Sequence, residues 1–144
     1  MKSYVEHANM SVVDAQKTIH FLTSAIPEWR VRGGGKLDNW FGRAIEWFHV
    51  GDEQSYIAIS TGGEGDAANW TTAFTGVKHI GIVVPNVDAV VERLALAGYA
   101  LDHWGGDHPH RKSVYYLEDH GFQFEFVEYF SQESDLKNDY TLYP

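Results

Sequence analysis

Apolar residues along the chain follow two periods in turn, and the order in which those periods appear repeats. The opening "SYVEHANMSVVDAQKTIHFLTSAIPEW" reads as a strand over about residues 4–12 and then a helix over about 14–24. Asp14 is suited to cap that helix, Ile19, Leu22 and Ala25 recur at helical spacing, and Pro27 ends it. "WRVRGGG", "RAIEWFHVG" and "SYIAISTGG" are short, aromatic and β-branched, divided by glycines and by "GDEQ", and predict three strands. A Gly/Ala/Thr-rich loop over residues 61–76 follows. "GVKHIGIVV" then predicts a strand, "NVDAVVERLALAGY" a helix stopped by Gly98, and "ALDHWG", "KSVYYLED" and "FQFEFVEYF" three more strands. The tail, residues 131–144, is polar and without period.

The second half therefore repeats the first. Laying His7 on His79, an offset of 72, brings Val5 onto Val77, Val12 onto Val84 and Leu22 onto Leu94, with an acidic helix start at Asp14 and Asp88 shifted by two. Alternation along a strand assigns faces. Ile80, Ile82 and Val84 make an apolar face, and His79 lies on the reverse with Val77, Gly81 and Val83. His7 shares the smaller, more polar face of the first strand with Asn9 and Ser11. In the last strand Phe122, Phe124 and Phe126 form an apolar stripe and Glu125 lies opposite. Two histidines and a carboxylate thus share a face type, and a cation between them would offset the cost of burying the charge. Such a set suits a divalent metal with open coordination positions.

Composition narrows the choices. The chain has 144 residues, 44% hydrophobic and 15% aromatic, enough for one packed α+β domain. A net charge of −9 with no basic cluster argues against nucleic acid. No apolar run reaches the roughly 20 residues of a membrane span and no leader is evident, so a cytoplasmic protein is expected. With no cysteine, any metal falls to His, Asp or Glu.

The doubled strand-helix-three-strand order, with "VEHANMSVVD", "VKHIGIVVPNVD" and the closing "EDHGFQFEFVEY", resembles the vicinal oxygen chelate superfamily. That group includes glyoxalase I, bleomycin-resistance proteins, fosfomycin-resistance enzymes, methylmalonyl-CoA epimerases and extradiol dioxygenases. The resemblance covers about residues 3–130: one module over about 3–63, a linker over 64–76 and a second module over about 77–130. It implies two tandem βαβββ modules forming a metal-bearing cup, with His7, His79 and Glu125 as ligands. It also implies a homodimer whose site spans subunits. A glyoxalase-type fourth ligand would stand on the fourth strand, where Tyr56, Ala58 and Ser60 face the cup and none is a carboxylate. The three-ligand set looks more like the iron-dependent dioxygenases. Tyr115, ten residues before Glu125, and His110, in a loop over the cup, are then candidate proton donors.

The expectation is an enzyme that chelates the vicinal oxygens of a small organic substrate on a divalent metal. Fe2+ is favoured, with Ni2+, Zn2+, Co2+ or Mn2+ as alternatives. Two other readings stand beside it: a glyoxalase I-type lyase or isomerase, taking a fourth ligand from Tyr56, Ser60, His49 or water, and a metal-free, bleomycin-resistance-like ligand-binding protein. His49 in "WFHVGD" is either a pocket residue or structural. "HWGGDHPHRK" reads as an exposed loop with a solvated histidine cluster. "RGGGK" lacks the spacing and helix of a phosphate loop. Trp40, Trp47, Trp70 and Trp104 are assigned first to ordinary packing, and otherwise to pocket walls or dimer contacts.

Overall fold

A computed structural model describes residues 1–141 of the chain. The first module is β1 (His7–Ser11), α1 (Ala15–Ala25), β2 (Arg30–Trp40), β3 (Arg43–Gly51) and β4 (Tyr56–Ser60). The second is β5 (His79–Val83), α2 (Val87–Leu96), β6 (His103–Trp104), β7 (Arg111–Leu117) and β8 (Gln123–Tyr129). A short α3 (Ser134–Lys137) lies in the tail, whose residues 142–144 fall outside the described ones. The sheets have the orders β1-β4-β3-β2 and β5-β8-β7-β6, so each module pairs its first strand parallel to its last. Among the described residues no helix is long and apolar enough to cross a membrane.

The offset of 72 holds in the fold. β1 and β5 begin at His7 and His79, and along both strands burial runs exposed, half-buried, exposed, buried, exposed. The helix caps follow the same offset: Asp14 accepts from the Gln16 N–H, and Asn86 accepts from the Ala89 N–H. Asn86, not Asp88, is therefore the counterpart of Asp14. An amide oxygen serves the exposed donors of a first turn as well as a carboxylate does, and matching by charge overlooks it.

One apolar core joins the modules. Ile57 and Ile59 of β4 face the helices, as do Phe124 and Phe126 of β8. Phe21 of α1, fully buried, packs on the second sheet, with its ring 5.5 Å from Phe124, 6.1 Å from Phe126 and 6.2 Å from Tyr116. Beside it, the wholly buried Thr18 donates to Glu118 at 2.9 Å, and the His120 Nδ1–H donates to the same oxygen at 2.9 Å. His120 Nε2 in turn accepts the Asp14 N–H at 3.1 Å. Helix α1 thus serves both sheets, and the opposite faces of β1 and β5 are left open.

Three expectations change. Glycines do not end the second strand: β2 runs through Gly33–Gly35 to Trp40, with register shifts between Val31 and Gly33 and between Leu37 and Trp40. Ladder pairing uses backbone groups alone, so a run of glycines can continue it. β6 shrinks to two residues. The histidine loop is not wholly solvated, since His108 is buried. Both its ring nitrogens are used, Nδ1 accepting the His110 N–H at 3.0 Å and Nε2 donating to the Asp139 carbonyl at 3.0 Å.

Candidate functional site

The open face of the second sheet gathers polar residues by register. Gln123 of β8 lies opposite His79 of β5, and Glu125 opposite Gly81. A Cβ at Gly81 would stand 3.8 Å from Glu125 Oε2, in ordinary van der Waals contact, so the carboxylate lies directly beside this position. Glu125 Oε2 lies 3.2 Å from His79 Nε2, with side-chain exposures of 16% and 36%. The pair is therefore shielded yet open to a ligand. Beside it Gln123 is buried, and its Nε2 has no hydrogen-bond partner among the described residues. A buried amide donor without a partner costs about 1–3 kcal/mol, a cost often kept where a site needs it.

Tyr115 of β7 is registered on Glu125. Its ring meets His79 edge-on at 5.3 Å and stacks almost parallel on His103 at 4.4 Å. His103 stacks on Trp70 of the linker at 5.0 Å, and its Nδ1 lies 2.6 Å from Asp102 Oδ2. The resulting row holds Tyr115 upright beside the His79–Glu125 pair. From sequence, Trp70 is assigned first to packing and otherwise to a pocket wall or dimer contact, His103 belongs to a solvated histidine cluster, and neither they nor Gln123 are put forward as site residues. Strand parity covers Gln123, but nothing local marks His103 or Trp70, which enter through the β6–β7 pairing and the linker path.

The open face of the first sheet is separate. His7 stacks on Tyr56 at 4.8 Å, and Tyr56 on His49 at 4.4 Å, with the Arg32 guanidinium 4.4 Å from the Tyr56 ring centre. Burial, then the Arg32 and His7 charges, lowers the proton affinity of His49 and favours its neutral imidazole. Ala58, facing the cup at the fourth-strand position, is registered on His49. Within one chain His79 and Glu125 come together and His7 does not join them. Among the described residues no three His, Asp or Glu side chains are grouped to hold a metal. His110 is also elsewhere: its ring packs on His108 at 5.8 Å and its carbonyl accepts the Phe130 N–H, at the entry to β7.

No protein-family model matches the chain, and no curated protein matches it in sequence. Solved structures do match in shape. A glyoxylase/bleomycin resistance protein/dioxygenase domain from Frankia sp. EAN1pec is 21% identical, with a TM-score of 0.70 over 90% of this chain and 99% of that one. A glyoxalase family protein from Bacillus cereus is 15% identical, with a TM-score of 0.72 over 88% of this chain and 94% of that one. A variant of the fosfomycin resistance protein FosX from Listeria monocytogenes is 18% identical, with a TM-score of 0.62 over 94% and 98%. It was solved with Mn(II) and 1S,2S-dihydroxypropylphosphonic acid. The chain has the two-module α+β fold of the vicinal oxygen chelate superfamily.

Proposed function

We propose that the chain is a metal-dependent enzyme for a small organic substrate with neighbouring oxygens, and that His79 and Glu125 supply two of its metal ligands. The observation that carries this is the pair itself: an imidazole nitrogen and a carboxylate oxygen 3.2 Å apart on the open face of the second sheet. Nitrogen and oxygen donors of this kind suit Fe2+, Mn2+, Zn2+, Ni2+ or Co2+ alike. The FosX relative that binds Mn(II) has the same fold, which supports the reading without choosing the ion.

A third ligand is assigned to His7 of a second copy of the chain. β1 and β5 each end a sheet, with no further strand paired to them among the described residues, and share one exposure pattern. Val5, Val77 and Val83 beside the two histidines are 86%, 64% and 67% exposed. Apolar side chains along unpaired edges are a liability in an isolated chain and are relieved when another copy covers them. A homodimer that sets the first module of one chain against the second of the other would bring His7 to the pair and close the cup.

When bound, the metal would act as a Lewis acid that polarises the substrate oxygens. The chain's own residues do the rest. His79 and Glu125 fix the position of the ion, the Tyr115–His103–Trp70 row fixes the phenol beside it, and Tyr115 is assigned as proton donor to a substrate oxygen. Ala58 leaves the fourth-strand position without a carboxylate, which favours three-ligand, dioxygenase-like chemistry over a glyoxalase I-type proton shuttle.

Elemental analysis of untagged protein purified anaerobically tests the assignment, with His7→Ala, His79→Ala and Glu125→Ala alongside. About one ion per chain, lost in each variant while circular dichroism is unchanged, is the expected result. Wild-type protein that stays metal-free after reconstitution would remove the enzyme reading and leave a ligand-binding protein.

A further inference from the structure

The open face of the first sheet carries chemistry that the metal pair does not use. β1, β3, β4 and the β2–β3 turn bound a cavity of about 620 Å³, a size typical of small-molecule sites. Its walls are flat rings. The Trp47 indole lies across Gly35, where a Cβ would come within 3.0 Å of Nε1 and 3.1 Å of two ring carbons. The glycine run of β2 thus keeps the strand bare under the indole. His49 stands 5.0 Å from Trp47, and Trp40 and Phe41 form an edge-on pair at 4.9 Å on the hairpin tip. Phe41 has a φ of 48°, a left-handed conformation that bulky side chains rarely adopt. The tip holds it there, with the Gly42 N–H donating to Asn39 Oδ1.

Charge gives the second part of the argument. The chain carries a net charge of −9, yet among the described residues no acidic one lines this cavity. Arg43 does line it, and its Nη1 donates to the Gly62 carbonyl. One committed N–H orients the guanidinium, and the fork retains donors for a second, planar partner. A cavity kept clear of carboxylates in an acidic protein, with an arginine at its wall, favours an anion.

We propose that this cavity binds a planar aromatic carboxylate, its ring against Trp47 and the Trp40–Phe41 pair and its carboxylate on Arg43. The proposal deepens the metalloenzyme reading by naming its substrate class. It rests on that reading for what becomes of the ligand, while binding itself requires only this chain's own cavity.

Isothermal titration of the full chain with 2-naphthoate, with neutral 2-naphthalenemethanol and with cyclohexanecarboxylate tests it. The naphthoate should bind about tenfold or more tightly than either comparison compound, one lacking the charge and the other the flat ring. Arg43→Gln, a change at an exposed position, should abolish the preference over the alcohol while leaving the alcohol's own affinity within about twofold. Trp47→Leu should weaken both naphthalene probes. Equal binding of naphthoate and either comparison compound, no binding of naphthoate, or a preference that survives Arg43→Gln would each overturn the proposal. Metal content measured on the same preparation separates the two ideas. Metal-free protein that binds naphthoate as described sinks the enzyme reading alone, and metal-loaded protein that ignores naphthoate sinks this one alone.

Discussion

Glu118 offers a direct probe of how the two modules are joined. It is 3% exposed, and among the described residues no Lys or Arg pairs with it. What it has is hydrogen-bond donors. Oε2 accepts from Thr18 Oγ1 and from His120 Nδ1 at 2.9 Å each, and Oε1 accepts from the backbone N–H groups of His120 at 2.8 Å and Phe122 at 3.3 Å. Because His120 Nε2 already accepts the Asp14 N–H, the imidazole must carry its proton on Nδ1, and the network admits one arrangement. Glu118→Ala would leave two backbone N–H groups, one imidazole N–H and the Thr18 hydroxyl without this acceptor. At about 1–3 kcal/mol for each orphan, offset by no longer burying a carboxylate, the expected loss is about 3–5 kcal/mol. With a urea dependence of about 2 kcal/mol/M, the unfolding midpoint should fall by about 2 M. Thr18→Val, which removes one donor and keeps the volume, should cost about 1–2 kcal/mol. Because Thr18 belongs to the first module and Glu118 to the second, the two modules should unfold in one transition. A loss under about 1 kcal/mol for Glu118→Ala would refute the view that this network, with Thr18 as its link to the first module, stabilises the joint between them.

Other expectations follow from the same coordinates. Gly34→Ala and Gly35→Ala should separate stability from binding. A Cβ at Gly34 would meet the Trp47 backbone oxygen at 2.5 Å, whereas one at Gly35 meets only the movable indole. Thermal melts should show a cost of about 1–3 kcal/mol for the first and under about 1 kcal/mol for the second, while calorimetry shows the second weakening naphthoate; equal stability costs would contradict the packing described. Tyr99 provides a pH test. Burial, then its bond to Asp119 at 2.6 Å, raises its pKa above the ordinary value of 10.0. Its phenol therefore ionises more readily in the unfolded chain, so this stabilisation is whole below about pH 10 and is lost as pH rises towards the folded-state value. Tyr99→Phe should flatten the fall in melting temperature above pH 10, and an unchanged slope would exclude Tyr99 as its source.

Strand faces were legible from sequence because half-buried strands alternate. Ile57 and Ile59 turn to the helices and Ala58 to the cup, and His79 meets Glu125 because both lie on the reverse of apolar stripes. The repeat was legible as well, with its offset of 72, although Asp88 was matched to Asp14 where Asn86 is the cap. What escaped depends on contacts between distant segments. The position of His7 relative to Glu125 is set by Phe21 and Thr18 crossing to the second sheet, and no local period encodes that crossing. His110 was drawn over the cup because it precedes Tyr115, but the backbone bonds that bury His108 hold it at the other end of β7. The tryptophans were assigned first to packing, and otherwise to pocket walls or dimer contacts. Trp40 and Trp104 are instead 50% and 44% exposed, and Trp47 lines a cavity. Composition alone does not distinguish an aromatic side chain in a core from one in a wall.

The central claim is that one metal is held by His79 and Glu125 of one chain and His7 of another, and a mixed dimer tests it most directly. His7→Ala and Glu125→Ala chains are each expected to form metal-free homodimers. Co-expressed and isolated as a mixed dimer through different removable tags, they retain one intact site, built from the unaltered His7 of one chain and the unaltered His79 and Glu125 of the other. Elemental analysis should then find about half the wild-type metal per chain. No metal in the mixed dimer, or no mixed dimer at all, would contradict the account.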